Sequence, residues 1–188
     1  MDALLLSLIL CALVEGVGNT ARRYAGLVAR SGYDGTGAVT VGMVAACAAN
    51  ALIAALVGLW IAPMLTPEAR ALFLAAGLMM AGGGLLFVSR RFDSMEGGAT
   101  VRAPLLIVLV TLFVTGISGS APLLIATIAV YFADPWMAGI GGALGSAAGC
   151  YAGRVAKEAV WIRAGRFGMG ALLMLGAFSM AMGALRLI

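Results

Sequence analysis

The chain of 188 residues has no histidine, eight acidic residues and three cysteines. Without imidazole and with so few carboxylates, the ordinary zinc sites and the acid–base pairs of hydrolases have little to be built from. Cys11, Cys47 and Cys150 each stand alone in an apolar stretch without C-x-x-C spacing. That pattern argues against a disulfide framework or a metal cluster and reads as small apolar helix fillers. The N-terminal MDALLLSLILCALVEG lacks the basic start and small-x-small cleavage site of a signal peptide and carries Asp2 instead, so it reads as a first membrane span. The runs GGG and GIGG have neither a strand before them nor a Lys or Ser/Thr closing them, which removes the phosphate-loop reading.

What is present in excess is apolar: 63% of residues are hydrophobic, where soluble domains have about 45–50%. A membrane-spanning helix takes roughly 20 apolar residues, so six would use about 120 positions and leave short connections. The expectation is therefore an all-α integral membrane protein, one membrane domain over 1–188, with no room for a separate soluble catalytic domain. It is expected not to be an enzyme and to need no cofactor.

Punctuation divides the chain. Segment one runs from about Ala3 to Thr20, and ARRYAGLVARSGYDGTG reads as a connection. Segment two covers about Ala38 to Ala62 and stops at Pro63. Thr66, Pro67 and Glu68 have the pattern of an N-cap, a first helical residue and a first-turn acid, launching segment three to about Val88. The polar stretch 90–102 is a central connection. The uncharged run 103–133 would be about 46 Å long as one helix, so TGISGSAP marks a break, with a second half beginning at Pro122 and Ser118 or Ser120 as caps. Segments five and six cover about Met137 to Val160 and Ala164 to Leu185.

Arg22, Arg23, Arg30, Arg90, Arg91, Arg102, Arg154, Lys157, Arg163 and Arg166 fall on one side of this layout, and Arg70 and Arg186 on the other. Such asymmetry is the positive-inside signature, so the net charge of +4 marks topology rather than affinity for nucleic acid. Both termini then face away from the cytoplasm. Two sets of three spans, 3–89 and 103–188, enter from opposite sides as an inverted repeat. The residence expected is a bacterial inner membrane, with the lipid bilayer as a partner; homo-oligomerisation is left open. Gly77, Gly139, Gly145 and Gly149 are expected to support close helix packing, and the methionines around Met79, Met80 and Met180 to fill gaps rather than bind soft metals.

Glu15 is the only acid well inside an apolar segment. A carboxylate there must be protonated, paired or facing a polar cavity, which makes it the candidate for proton or cation binding; the competing reading is an interfacial carboxylate near the basic stretch. Asn19 and Thr20, one turn on, and Asn50 in segment two offer hard oxygens, as do Ser118 and Ser120 in the second half. Interhelical hydrogen bonding is their plainer explanation.

LVEGVGNTA, FVTGISGSAPLLIATIAVYF, AACAANALIAALVG and GGALGSAAG together resemble the small six-span transporter family that includes human transmembrane protein 165 and its yeast counterpart, related to lysine-exporter-type proteins. Members open each half with E-x-G-D-K/R-S/T. By this resemblance Glu15 takes the glutamate position, Val17 the glycine, Gly18 the aspartate, Asn19 the basic and Thr20 the hydroxyl position. In the second half Ser118, Ser120, Ala121, Pro122 and Leu123 take the same five places, so three of the four motif acids are replaced. Asn50 lies in register with the family's second-span asparagine, and Ser146 stands where a histidine is often found. The resemblance implies exchange of manganese or calcium ions for protons, with Glu15 as the coupled carboxylate and metal ligand. A small organic or amino-acid-like solute, or a non-transporting scaffold, are the alternatives.

Overall fold

The computed structural model describes residues 1–87, 105–117, 119–155 and 160–185. Among them there are seven α-helices and no strand: α1 Asp2–Gly16, α2 Asn19–Ile61, α3 Pro67–Phe87, α4 Leu105–Ile117, α5 Ser120–Phe132, α6 Pro135–Val155 and α7 Val160–Ala184, with a 3-10 turn at Ala62–Met64. The central connection 90–102 and Ser118 lie outside the described residues.

The first segment does not end at Thr20. It breaks at Val17 and Gly18 and resumes, so the stretch expected to be a connection is helix and carries Arg22, Arg23 and Arg30 on it. Asp2–Gly16 and Asn19–Ser31 meet at 59°. α2 is nominally one helix of 43 residues, yet the Tyr24 hydroxyl lies 2.9 Å from the Thr40 hydroxyl, 16 residues away. A straight helix would separate those positions by about 24 Å, so α2 doubles back. Its arms, Asn19–Ser31 and 35–61, pack on each other through Tyr24, Leu27 and Val28 against Val39 and Met43. Arg154 closes this contact from α6, its guanidinium 5.7 Å above the Tyr24 ring.

The second half breaks in the same way. Leu106–Ile117 and Ser120–Phe132 meet at 58°. The break falls earlier than Pro122, because Ser120 is already helical and Gly119 takes the N-cap. Thr66 caps α3 as expected, its hydroxyl accepting from the Ala69 N–H at 3.4 Å. Asp134 does the same for α6, accepting from Met137 N–H at 3.2 Å.

Glycine sets how closely the helices approach. A Cβ on Gly141, Gly145, Gly149 or Gly153 of α6 would strike the carbonyl oxygens of Leu4, Leu8, Ala12 and Gly16 of α1, in that order. The two series rise together at four-residue spacing, so α1 and α6 run parallel, backbone against backbone. Gly42 against Val108 and Gly116 against Asn50 make α2 and α4 parallel too. Gly82 against Leu173 and Met174, with Gly170 against Leu86, makes α3 and α7 antiparallel. α5 is the central rod: every residue from Leu124 to Val130 is buried, among α1, α2, α3 and α6.

Three helical stretches, Gly35–Met64, Pro67–Leu86 and Gly165–Ala184, are long and apolar enough to cross a membrane, and five if each bent pair is one span. α6 is not among them; its six glycines between 139 and 153 reflect packing against protein rather than lipid. Outward faces carry exposed Leu52, Ile53, Leu56 and Trp60 on α2 and Leu172, Leu175 and Phe178 on α7. Contiguous apolar surface of that kind fits a hydrocarbon solvent. The protein is an all-helical chain with several helices able to span a membrane.

Candidate functional site

Two glycines shape the site. Gly18 holds extended backbone at φ −81, ψ 177, and Gly119 at φ −79, ψ 169. The Gly18 N–H donates to the Glu15 carbonyl at 3.1 Å and the Gly119 N–H to the Gly116 carbonyl at 2.9 Å, the same three-residue closure twice. A Cβ on Gly18 would lie 2.9 Å from the Val14 oxygen, and one on Gly119 2.9 Å from the Gly116 oxygen, so both places require glycine for the close approach. Neither following helix is capped by a side chain. The starts of α2 and α5 therefore present first-turn N–H groups, the positive ends of their dipoles, without an N-cap side chain over them.

Both starts open on one cavity of about 370 Å³. Glu15, Asn19, Thr20, Ser120, Thr115, Arg23 and Arg166 line it, and α3 supplies Met80, Gly84 and Leu85 as an apolar wall. The Arg166 guanidinium donates to the Leu85 carbonyl, which holds its stem across α3. On the other side of Glu15 lies a void of about 10 Å³, lined by Glu15, Thr20, Cys47, Asn50 and Ser146 among others.

Glu15 joins these spaces. It is 5% exposed in the last turn of α1. The Thr20 side chain lies beside its carboxylate, and the Cys150 thiol approaches Oε2 at 3.9 Å. Gly119 of the opposite break faces Oε1: a Cβ there would lie 3.5 Å away. Asn50 comes in from α2, donating through Nδ2 to the Phe113 carbonyl at 3.3 Å. Its amide fills the space beside Gly116, where any Cβ would collide with it. Counted back from Gly119, Gly116 holds the place that Glu15 holds relative to Gly18. A carboxylate at the second break would therefore start from Gly116, two residues before the Ser118 position drawn from the motif.

The structure thus brings Glu15, Thr20 and Asn50 together around the small void, and places Asn19 and Ser120 on the larger cavity. Ser118 is outside the described residues. Two sets of residues read as bland in the sequence also belong here. Cys47 and Cys150 from different helices are side-chain neighbours beside Glu15, Cys47 approaches the Met43 sulfur at 3.9 Å, and Cys11 lies against the Ala121 carbonyl at 4.0 Å. Arg23 and Arg166, read as topology markers, line the larger cavity. Their sequence signal was position: Arg23 follows the Glu15 break by two turns, and Arg166 starts a span instead of flanking one.

Among the described residues no three His, Cys, Asp or Glu side chains are grouped to hold a metal ion. The chain matches no protein-family model, no curated protein and no solved structure. Chemically the site offers one exchangeable carboxylate, neutral oxygens on both sides of it, and a cavity bearing two guanidinium groups and two helix N-termini.

Proposed function

We propose that the chain is a secondary transporter of the cation-exchange type, with Glu15 as the carboxylate that alternates between a proton and a cation. The observation that carries this reading is the position of Glu15, where two like-shaped helix breaks meet a polar cavity. Broken helices at a central cavity are the usual device by which secondary transporters expose unsatisfied backbone groups to a solute. The reading includes six spans in two inverted three-helix repeats, 3–89 and 103–188, both termini non-cytoplasmic, in a bacterial inner membrane. It draws support from the matched bends of 59° and 58° and from the parallel pairing of α1 with α6 and of α4 with α2, each broken helix lying on a helix of the other half.

The family resemblance makes manganese or calcium ions the cargo exchanged for protons. A second reading is favoured by the cavity itself. The starts of α2 and α5, the positive ends of their dipoles, line it together with Arg23 and Arg166. That arrangement suits a small solute carrying a carboxylate, such as an amino acid, whose ammonium group would pair with Glu15.

Purified protein in proteoliposomes with an internal pH dye tests both. Glu15→Gln should abolish proton-linked flux, and unchanged flux in that variant would end the assigned role of the carboxylate. Manganese and calcium ions against amino-acid solutes, presented singly, separate the cargoes. No flux with any of them would favour a non-transporting scaffold.

A further inference from the structure

Asn50 is 6% exposed, and the two ends of its amide are treated unequally. Nδ2 donates to the Phe113 carbonyl, which fixes the orientation, because reversing the amide would set two oxygens face to face. Oδ1 is then buried with no hydrogen-bond partner, the one such buried side-chain oxygen or nitrogen among the described residues. Buried carbonyl oxygens are rarely left unmatched without a reason. The same side chain lines the void of about 10 Å³, which is room for a single water-sized occupant.

Three further polar residues line it, within an otherwise apolar wall that includes Met43, Leu112 and Ile125. Glu15, Thr20 and Ser146 line the same space as Asn50, and all three are buried. These are hard oxygen donors supplied by α1, the start of α2, the second arm of α2, and α6. One carboxylate balances one positive charge. A divalent ion would keep an uncompensated charge in a region stripped of water.

We infer that this void is a binding site for a dehydrated alkali cation of sodium's size, held by Asn50 Oδ1, the Glu15 carboxylate and the Thr20 and Ser146 hydroxyls. The assignment of that ion as the driving ion rests on the transporter reading; its binding does not. Cargo then uses the larger cavity, and because Glu15 and Thr20 line both spaces, occupancy of one alters the other.

The test is thermal unfolding of the purified protein in detergent micelles, with sodium chloride replacing choline chloride at constant ionic strength, alongside binding of radiolabelled sodium ion. Wild-type protein should show saturable stabilisation by sodium ion and weaker stabilisation by potassium ion. Thr20→Val and Ser146→Ala, which keep side-chain volume nearly constant, should each weaken apparent sodium affinity at least tenfold, and Asn50→Leu should remove it if that variant folds. A midpoint indifferent to sodium ion, or raised equally in wild type and in Thr20→Val and Ser146→Ala, would mean that the void holds water alone and would overturn the site. Potassium matching sodium would overturn the size assignment. Sodium binding without flux of any solute would leave the site standing and end the transporter reading; Glu15-dependent flux with no effect of sodium ion would do the reverse.

Discussion

Replacing Gly145 by alanine probes the contact on which the central packing depends. An added Cβ would lie 2.9 Å from both the carbonyl carbon and the Cα of Leu8, with the Leu8 oxygen closer still. Carbon atoms at rest sit about 3.5–4.0 Å apart, so α1 and α6 must part by roughly 0.6–1 Å. A gap of that size forfeits about a quarter to a half of each dispersion well along the seam, where Gly141, Gly149 and Gly153 make the same backbone contact. Overpacking of this kind costs about 1–3 kcal/mol. Alanine also favours the helix over glycine by roughly 1 kcal/mol, which offsets part of the loss. Gly168→Ala supplies the reference, since a Cβ there meets nothing within 4 Å and feels the helix preference alone. Chemical unfolding in mixed micelles, followed by circular dichroism, should place Gly145→Ala about 1–3 kcal/mol below Gly168→Ala. Equal stability of the two variants would refute the backbone-to-backbone seam.

Ala133 holds a left-handed backbone at φ 54, so Ala133→Gly should raise stability by about 0.5–1 kcal/mol in the same unfolding assay. Tyr24→Phe and Thr40→Val should each cost about 0.5–1.5 kcal/mol and show coupling in a double-mutant cycle; strict additivity would contradict the hairpin in α2. The thiols of Cys11 and Cys150 are fully buried and should resist a membrane-permeant maleimide in the folded protein yet react on unfolding, as read by mass spectrometry. In a cysteine-free background, single cysteines placed in the 90–102 connection and at Arg70 should label from opposite sides of the membrane; labelling from one side would rule out six spans.

The apolar excess and the punctuation at Pro63 and Thr66 made most helix positions readable, since caps and proline act locally. The fold-back of α2 was not readable. ARRYAGLVARSGYDGTG has the glycines and charges of a loop, and only the burial of Tyr24 against Thr40 turns it into two packed arms. Glu15, Thr20 and Asn50 stood out because polar groups in apolar segments are costly wherever they point. The cysteines did not, because a thiol in a helix looks like a filler until three distant helices set Cys11, Cys47 and Cys150 around one carboxylate. The place of Arg166 on the cavity was likewise not legible, since in sequence a basic residue at a span's start reads only as a mark of topology.

The crossing of the two halves has a consequence for how the protein is made. Contacts such as Cys150 with Glu15 span 135 residues, Arg166 with Leu85 81, and Asn50 with Phe113 63. At about 5–20 residues per second, α1 waits roughly 7–27 s after leaving the ribosome before α6 exists to receive it. Throughout that interval the α1 backbone at Leu4, Leu8, Ala12 and Gly16 lacks the α6 glycines that cover it. A chain stopped short of residue 141 never supplies those glycines, so α1 should be the segment most dependent on the insertion machinery and the first one degraded in truncated products.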